Sequence, residues 1–182
     1  MTNFKQISSE QINDEVKRID LNQWIPGVIT SLSPLAKKSD ISLSVESCSD
    51  VLEISTYPAK LYQVIINIVT NAIHLGFDDV TNKQLHTCTL KYYCEENGNL
   101  KIHIIDNGKG INQATLERIY DHFFTTTRAS GGKGLGMSIV YNLVNGSLQG
   151  SVMVSSVEGS GTEVTLELPL RLKPSIDKMK LK

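Results

Sequence analysis

Cysteine is scarce in this 182-residue chain: Cys48, Cys88 and Cys94 are the three present, and their spacings match neither a metal knuckle nor a redox pair. That excludes a disulfide-stapled scaffold and leaves the cysteines reduced and structural. Net charge is scarce too. Eighteen lysines and arginines oppose nineteen aspartates and glutamates, giving −1 and a pI near 6.4, which offers no basis for bulk attraction to nucleic acid or to a membrane surface. No run of eighteen apolar residues occurs, and no secretory signal is recognisable. Internal repeats and low-complexity tracts are missing as well. The expectation is a cytoplasmic globular protein, long enough for one domain with a sizeable core and short extensions.

What is present begins with glycine. Gly131-Gly132-Lys133-Gly134-Leu135-Gly136 runs directly into an apolar helical pattern. Glycines here remove side chains where backbone amides must approach something closely. A helix starting at that point aims free amides and its positive dipole end at an anion, for which phosphate is the natural guest. The spacing does not fit a P-loop, and no nucleotide-binding strand-turn-helix unit surrounds it. An ordinary turn remains the alternative.

A second feature is the helix expected from about Pro58 to Leu75. Leu61, Val64, Ile65, Ile66, Ile68, Val69, Ala72 and Ile73 nearly encircle it, which predicts burial. Lys60, Gln63, Asn67, Asn71 and His74, three or four residues apart, form one polar stripe. Asparagine is a mediocre helix former, and Glu or Lys would serve a merely solvated stripe better. Two carboxamides one turn apart can offer oxygens to a hard cation such as magnesium. His74 reads as a surface or phosphate-side residue rather than a metal ligand, because no second His or Cys sits at ligand spacing.

The third is Ile102-His103-Ile104-Ile105-Asp106-Asn107-Gly108-Lys109-Gly110: an alternating strand ending at an aspartate and two turn glycines. It reads either as a plain turn or as a buried acceptor for a neutral donor such as an exocyclic amine, selective because a wrong ligand leaves it unpaired.

Taken in order, Asn-x-x-x-Asn, Asp-x-Gly-x-Gly and Gly-x-Gly-Leu-Gly closely resemble the ATP-binding domain of bacterial sensor histidine kinases, in the superfamily shared with gyrase, heat-shock chaperone and mismatch-repair ATPases. The resemblance runs from about Asp20 to Leu170, and extends to Phe123-Phe124-Thr125-Thr126 and Gly159-Ser160-Gly161-Thr162. It implies ATP and Mg2+ as cofactors. Asn71 would be the principal magnesium ligand, with Asn67 supporting metal and phosphates. Asp106 would bind the adenine amino group with help from Thr162, and Gly108 and Gly110 would let the chain pass close to the base. Gly132, Gly134, Leu135 and Gly136 would close a lid from about Asn107 to Gly136 over the phosphates. Phe123, Phe124 and Thr125 would form the base of that lid, and His74 would border the nucleotide. Lys133 stands where Thr or Ser is commoner, and contacts phosphate or is simply solvated; Arg128 is a second candidate for charge neutralisation. Leu75 stands where many relatives carry an aromatic ring against adenine.

The implied fold is an α/β two-layer sandwich of the Bergerat type, with a mixed, mostly antiparallel sheet and helices on one face. Residues 20–172 would be this domain and 173–182, with four lysines, a frayed tail. Residues 1–19, where Phe4, Ile7, Ile12, Val16 and Ile19 share a helical face, would be the end of a dimerisation hairpin. No histidine precedes His74, so the phosphoacceptor is expected elsewhere in a larger, homodimeric kinase. Its partners would be that histidine hairpin and a response-regulator receiver domain, not nucleic acid. An ATP hydrolase of the same superfamily is the alternative. Such enzymes carry a water-activating Glu one turn before the metal-binding Asn; here the position is Asn67, and an amide is no general base. A non-catalytic nucleotide-binding module is the other alternative.

The remaining elements are a helix after Asp20 with Trp24, Ile25, Val28, Leu32 and Leu35 inward and Pro26 near its first turn. Strands are expected at about 41–46, 51–55, 84–95, 100–105, 150–156 and 162–169, with Glu96-Asn97-Gly98-Asn99 as a hairpin turn.

Overall fold

The computed structural model describes residues 15–48, 52–77, 85–124 and 134–172. Seven strands and four α-helices are found there: β1 Lys17–Asp20, α1 Leu21–Lys38, β2 Ile41–Ser47, β3 Glu53–Thr56, α2 Pro58–Leu75, β4 His86–Cys94, β5 Asn99–Asp106, α3 Gln113–Leu116, α4 Gly136–Asn142, β6 Ser151–Val157 and β7 Gly161–Pro169. Five strands form the main sheet in the order β2-β4-β5-β7-β6. β2 runs parallel to β4, and every other pair is antiparallel. The mixed sheet under one helical layer is the expected two-layer α/β sandwich.

Period-two alternation builds the inner face. Leu100, Ile102 and Ile104 of β5 are buried against Leu90 and Tyr92 of β4 and Val164, Leu166 and Leu168 of β7. Onto them pack Leu61, Val64, Ile65, Ile68 and Val69 of α2 and Ile25, Val28, Ile29 and Leu32 of α1. Each such side chain contributes about 1.5–3 kcal/mol when fully buried. Asp106 continues the inward series of β5 by one more step, which is why its carboxylate enters the helix-facing side instead of solvent. Among the described residues no helix is long and apolar enough to cross a membrane.

Three departures have physical causes. The helical face drawn through Val16 and Ile19 does not hold at its end: Lys17–Asp20 is a strand, paired antiparallel with β3, while residues 1–14 lie outside those described. Lys17–Ile19 therefore pairs within the same fold as the rest of the chain. Pro26 sits in the second turn of α1, not the first, and Pro34 follows it. Burial of Leu21, Ile25, Val28, Ile29, Leu32 and Ala36 carries the helix across both prolines, and the Thr30 hydroxyl bonds the Pro26 carbonyl at 2.8 Å. Finally, α4 runs on as a π-helical turn, Leu143–Ser147, in which the Leu148 amide bonds the Leu143 carbonyl at 2.9 Å. Asn145 Nδ2 meets the Tyr141 carbonyl, a bond a sequence pattern does not reveal.

Candidate functional site

Between α2, the end of β5, the start of α4 and the β6–β7 turn lies a cavity of about 1240 Å³. Asn67, Asn71 and His74 line it from α2; Asp106 and Gly110 from the β5 turn; Phe124, Gly134, Leu135 and Gly136 from the glycine segment; Thr162 from β7. Residues separated by almost a hundred positions thus converge on one volume.

The floor depends on backbone apposition. Gly76, just past α2, faces Gly108: a Cβ on Gly108 would lie inside contact distance of the Gly76 carbonyl. The Lys109 amide donates to the Gly76 carbonyl at 2.6 Å, and the Gly159 amide to the Lys109 carbonyl at 2.6 Å. Gly110 has φ +70 and backs onto the Val157 carbonyl, so the second turn glycine is required twice over. Asn107 clamps the start of β4, accepting from the Thr87 amide (2.8 Å) and donating to the Leu85 carbonyl (2.9 Å). Asn107 thus ties the β5 turn to the start of β4, while Asp106 lines the cavity.

Asp106 is 9% exposed and accepts the Gly108 amide at 2.9 Å. Burial pushes its carboxyl above the ordinary range, opposed by the amides of Gly108 and Thr162. Cys88, its register partner on β4, is pushed up to about 12, first by burial and then by the Asp106 charge, and stays a neutral thiol. Because the folded pKa of Asp106 is raised, the carboxyl favours folding while protonated, and that contribution fades as pH rises through the folded value. Ligand recognition by the carboxylate runs the other way. Nucleotide affinity is expected to fall on acidification at a pH above that usual for a carboxylate, as checked by titrations from about pH 4 to 7; Asp106→Asn should lack the step.

On α2, Asn67 Nδ2 is buried and without a partner among the described residues. A Cβ on Gly136 would lie 3.4–3.5 Å from the Asn71 amide, in ordinary contact, which places that carboxamide beside the start of α4. Gly134, with φ +66, packs on the backbone of Phe123 and Phe124. Phe124 carries the Arg118 guanidinium over its ring at 4.5 Å. Phe123, at φ +64 and 63% exposed, is not among the cavity-lining residues. Leu75 lines the cavity, while the nearest aromatic in sequence, Phe77, stacks on His86 at 4.4 Å. Thr125, Arg128, Gly132 and Lys133, and with them the middle of the expected lid, lie outside the described residues. Gly76 and Ser156 were not anticipated. Gly76 carried a signal, as the glycine ending an apolar helical pattern; Ser156 carried none.

A glycine-walled cavity of an α/β sandwich, with an inward carboxylate from β5 and carboxamides from α2, defines a nucleotide-binding domain. Residues 56–172 match the family described as histidine kinase-, DNA gyrase B-, and HSP90-like ATPase, and this chain belongs to it: it is an ATP-binding domain of that family. Among similar proteins, the autoinducer 2 sensor kinase/phosphatase LuxQ of Vibrio harveyi is 35% identical over 143 residues, covering 76% of this chain and 16% of LuxQ. Sensor histidine kinase ZraS of Escherichia coli O157:H7 is 32% identical over 158 residues, covering 86% of this chain and 32% of ZraS. The crystal structure of full-length ShkA in complex with AMPPNP superposes with a TM-score of 0.73 at 23% identity, over 91% of this chain and 33% of that one. The chain thus spans a third or less of each of these longer proteins.

Proposed function

We propose that this chain is the ATP-binding catalytic domain of a two-component sensor histidine kinase, which transfers the γ-phosphate of ATP to a histidine on a helical hairpin. The observation that carries the reading is the convergence of Asn67, Asn71, Asp106, Gly110, Gly134, Gly136 and Thr162 on one cavity. Asp106 and Thr162 hold the base, and Gly110 lets the chain pass beside it. Asn67 and Asn71 face the phosphates, under a lid rooted at Phe124 and closed by Gly134 and Gly136, with Lys133 and Arg128 supplying charge from its middle.

Magnesium fits this donor set. No group of three or more His, Cys, Asp or Glu able to hold a metal occurs among the described residues, so the protein offers neutral carboxamides and not a closed cage. That suits a cation that keeps its waters and takes its charged ligands from phosphate. The buried Asn67 amide is a donor that a phosphate oxygen would satisfy. When bound, magnesium neutralises charge on the phosphates; Asn71 would hold it, supported by Asn67. The chain's own contribution is to orient the nucleotide and exclude water, because phosphoryl transfer needs positioning and charge stabilisation more than covalent chemistry. The partners proposed are the hairpin histidine of the same kinase, a response-regulator receiver domain downstream, and a second protomer in the full-length protein.

Calorimetric titration with a non-hydrolysable ATP analogue and magnesium tests the reading. Binding is expected, and Asp106→Asn should weaken it by about 2 kcal/mol, roughly thirtyfold, because an amide nitrogen then faces a donor. Absence of binding by the intact chain would sink the proposal.

A further inference from the structure

Behind Asp106, the cavity wall contains a hydrogen-bond chain whose polarity follows from counting protons. Ser156 Oγ lies 2.8 Å from the Ile111 amide nitrogen, 2.8 Å from the Gly161 carbonyl and 3.0 Å from Thr162 Oγ1. A serine hydroxyl has one hydrogen and two lone pairs. The Ile111 amide can only donate, so it occupies one lone pair. The Gly161 carbonyl can only accept, so it takes the hydrogen. One lone pair remains for Thr162, whose hydroxyl hydrogen must point at Ser156. Reversing that last bond would leave two acceptor oxygens 2.8 Å apart with no proton between them. Thr162 therefore meets the cavity with lone pairs only. Across the β5–β7 register it pairs with Asp106, whose ionised carboxylate is a second acceptor lining the same cavity.

We infer that Ser156 is a positioning residue for base selection: by holding the Thr162 hydrogen it makes the Asp106–Thr162 wall accept only, so the cavity takes a purine bearing an exocyclic amino group and rejects one bearing an oxo group there. The inference rests on the nucleotide-binding reading above. An amino group brings two N–H donors, enough for the carboxylate and the threonine oxygen, directly or through a water. An oxo group brings none and is opposed by both. Without Ser156 the Thr162 hydroxyl is free to rotate and donate, and the oxo base loses part of its penalty.

The test is calorimetry with ADP and IDP, which avoid phosphoryl transfer, at mildly alkaline pH on the full chain. The wild type should prefer ADP. In Ser156→Ala that preference should shrink about fivefold or more, the scale of one hydrogen bond. Ser156→Cys, which keeps a slightly larger side chain in place but weakens the acceptor, should move it the same way by less, and serves if the alanine variant does not fold. In a Thr162→Val background, adding Ser156→Ala should leave the ADP/IDP ratio unchanged, because its only route has gone. If Ser156→Ala weakens both nucleotides alike, or shifts the ratio by the same factor in the valine background, Ser156 merely pins Ile111 to β6 and the inference is overturned. A wild type that binds neither nucleotide overturns the parent reading instead.

Discussion

Alanine at position 161 is expected to cost about 3 kcal/mol or more in folding stability and to abolish nucleotide binding. Gly161 has φ +113, a region L-residues rarely adopt, and an added Cβ would collide with the Asp106 carbonyl oxygen and lie 3.0 Å from Asn107 Cα. Both neighbours are backbone, so no rotamer change relieves the clash. Relief would mean parting β5 from β7 at the register pair Asp106↔Thr162, which displaces the Asp106 carboxylate from the cavity. Gly146→Ala is the contrast. Nothing lies within 4 Å of its Cβ position, and in a helical segment the change should be neutral or stabilising by up to about 1 kcal/mol. Urea denaturation of both variants, with analogue titration of each, checks this; equal stabilities would refute the argument from close approach.

The difference between those glycines marks what a sequence can disclose. Asn67 and Asn71 were legible because helical periodicity alone places them on one face of a mostly apolar α2. Asp106 was legible because period two continues from Leu100 through Ile104 to an inward carboxylate. Gly110 and Gly134 were legible as turn and close-approach glycines, though not which of the neighbouring glycines would take a positive φ. The fold class came with these, since hairpin signals at Gly98 and Gly159 delimit the strands. The Ser156 network was not legible: it depends on the register of β6 against β7 and on Ile111 arriving from forty-five positions away. Nor was the π turn after α4, which the packing of Val140, Val144 and Leu148 stabilises. The strand at Lys17–Asp20 was misread for a similar reason. Val16 and Ile19 fit a helical face locally, yet pairing with Glu53–Thr56 and the Asp20 cap on the Asn22 amide at 2.9 Å outweigh that weak preference.

Asn71→Ala is expected to lower phosphoryl transfer by about 10²–10³-fold while leaving the fold intact, the scale seen when one preorganised polar group is removed from a reacting centre. Asn71 lies on the cavity side of α2 beside Gly136 and is not part of the buried apolar core. The loss should therefore appear in metal dependence and not in melting. In the wild type, removing magnesium should weaken binding of the ATP analogue; in Asn71→Ala the two affinities should nearly coincide. The rate is read with the phosphoacceptor hairpin supplied in trans and radiolabelled ATP, since phosphohistidine is stable to base and labile to acid. If Asn71→Ala still shows full magnesium dependence and wild-type labelling, the metal is held elsewhere and the assignment of the carboxamide face is wrong. If the wild type binds the analogue but never labels the hairpin, the chain is a nucleotide-binding module without transfer activity. Phosphate release abolished by Asn67→Ala would point instead to hydrolysis, which the carboxamide at position 67 disfavours because it cannot take a proton from water.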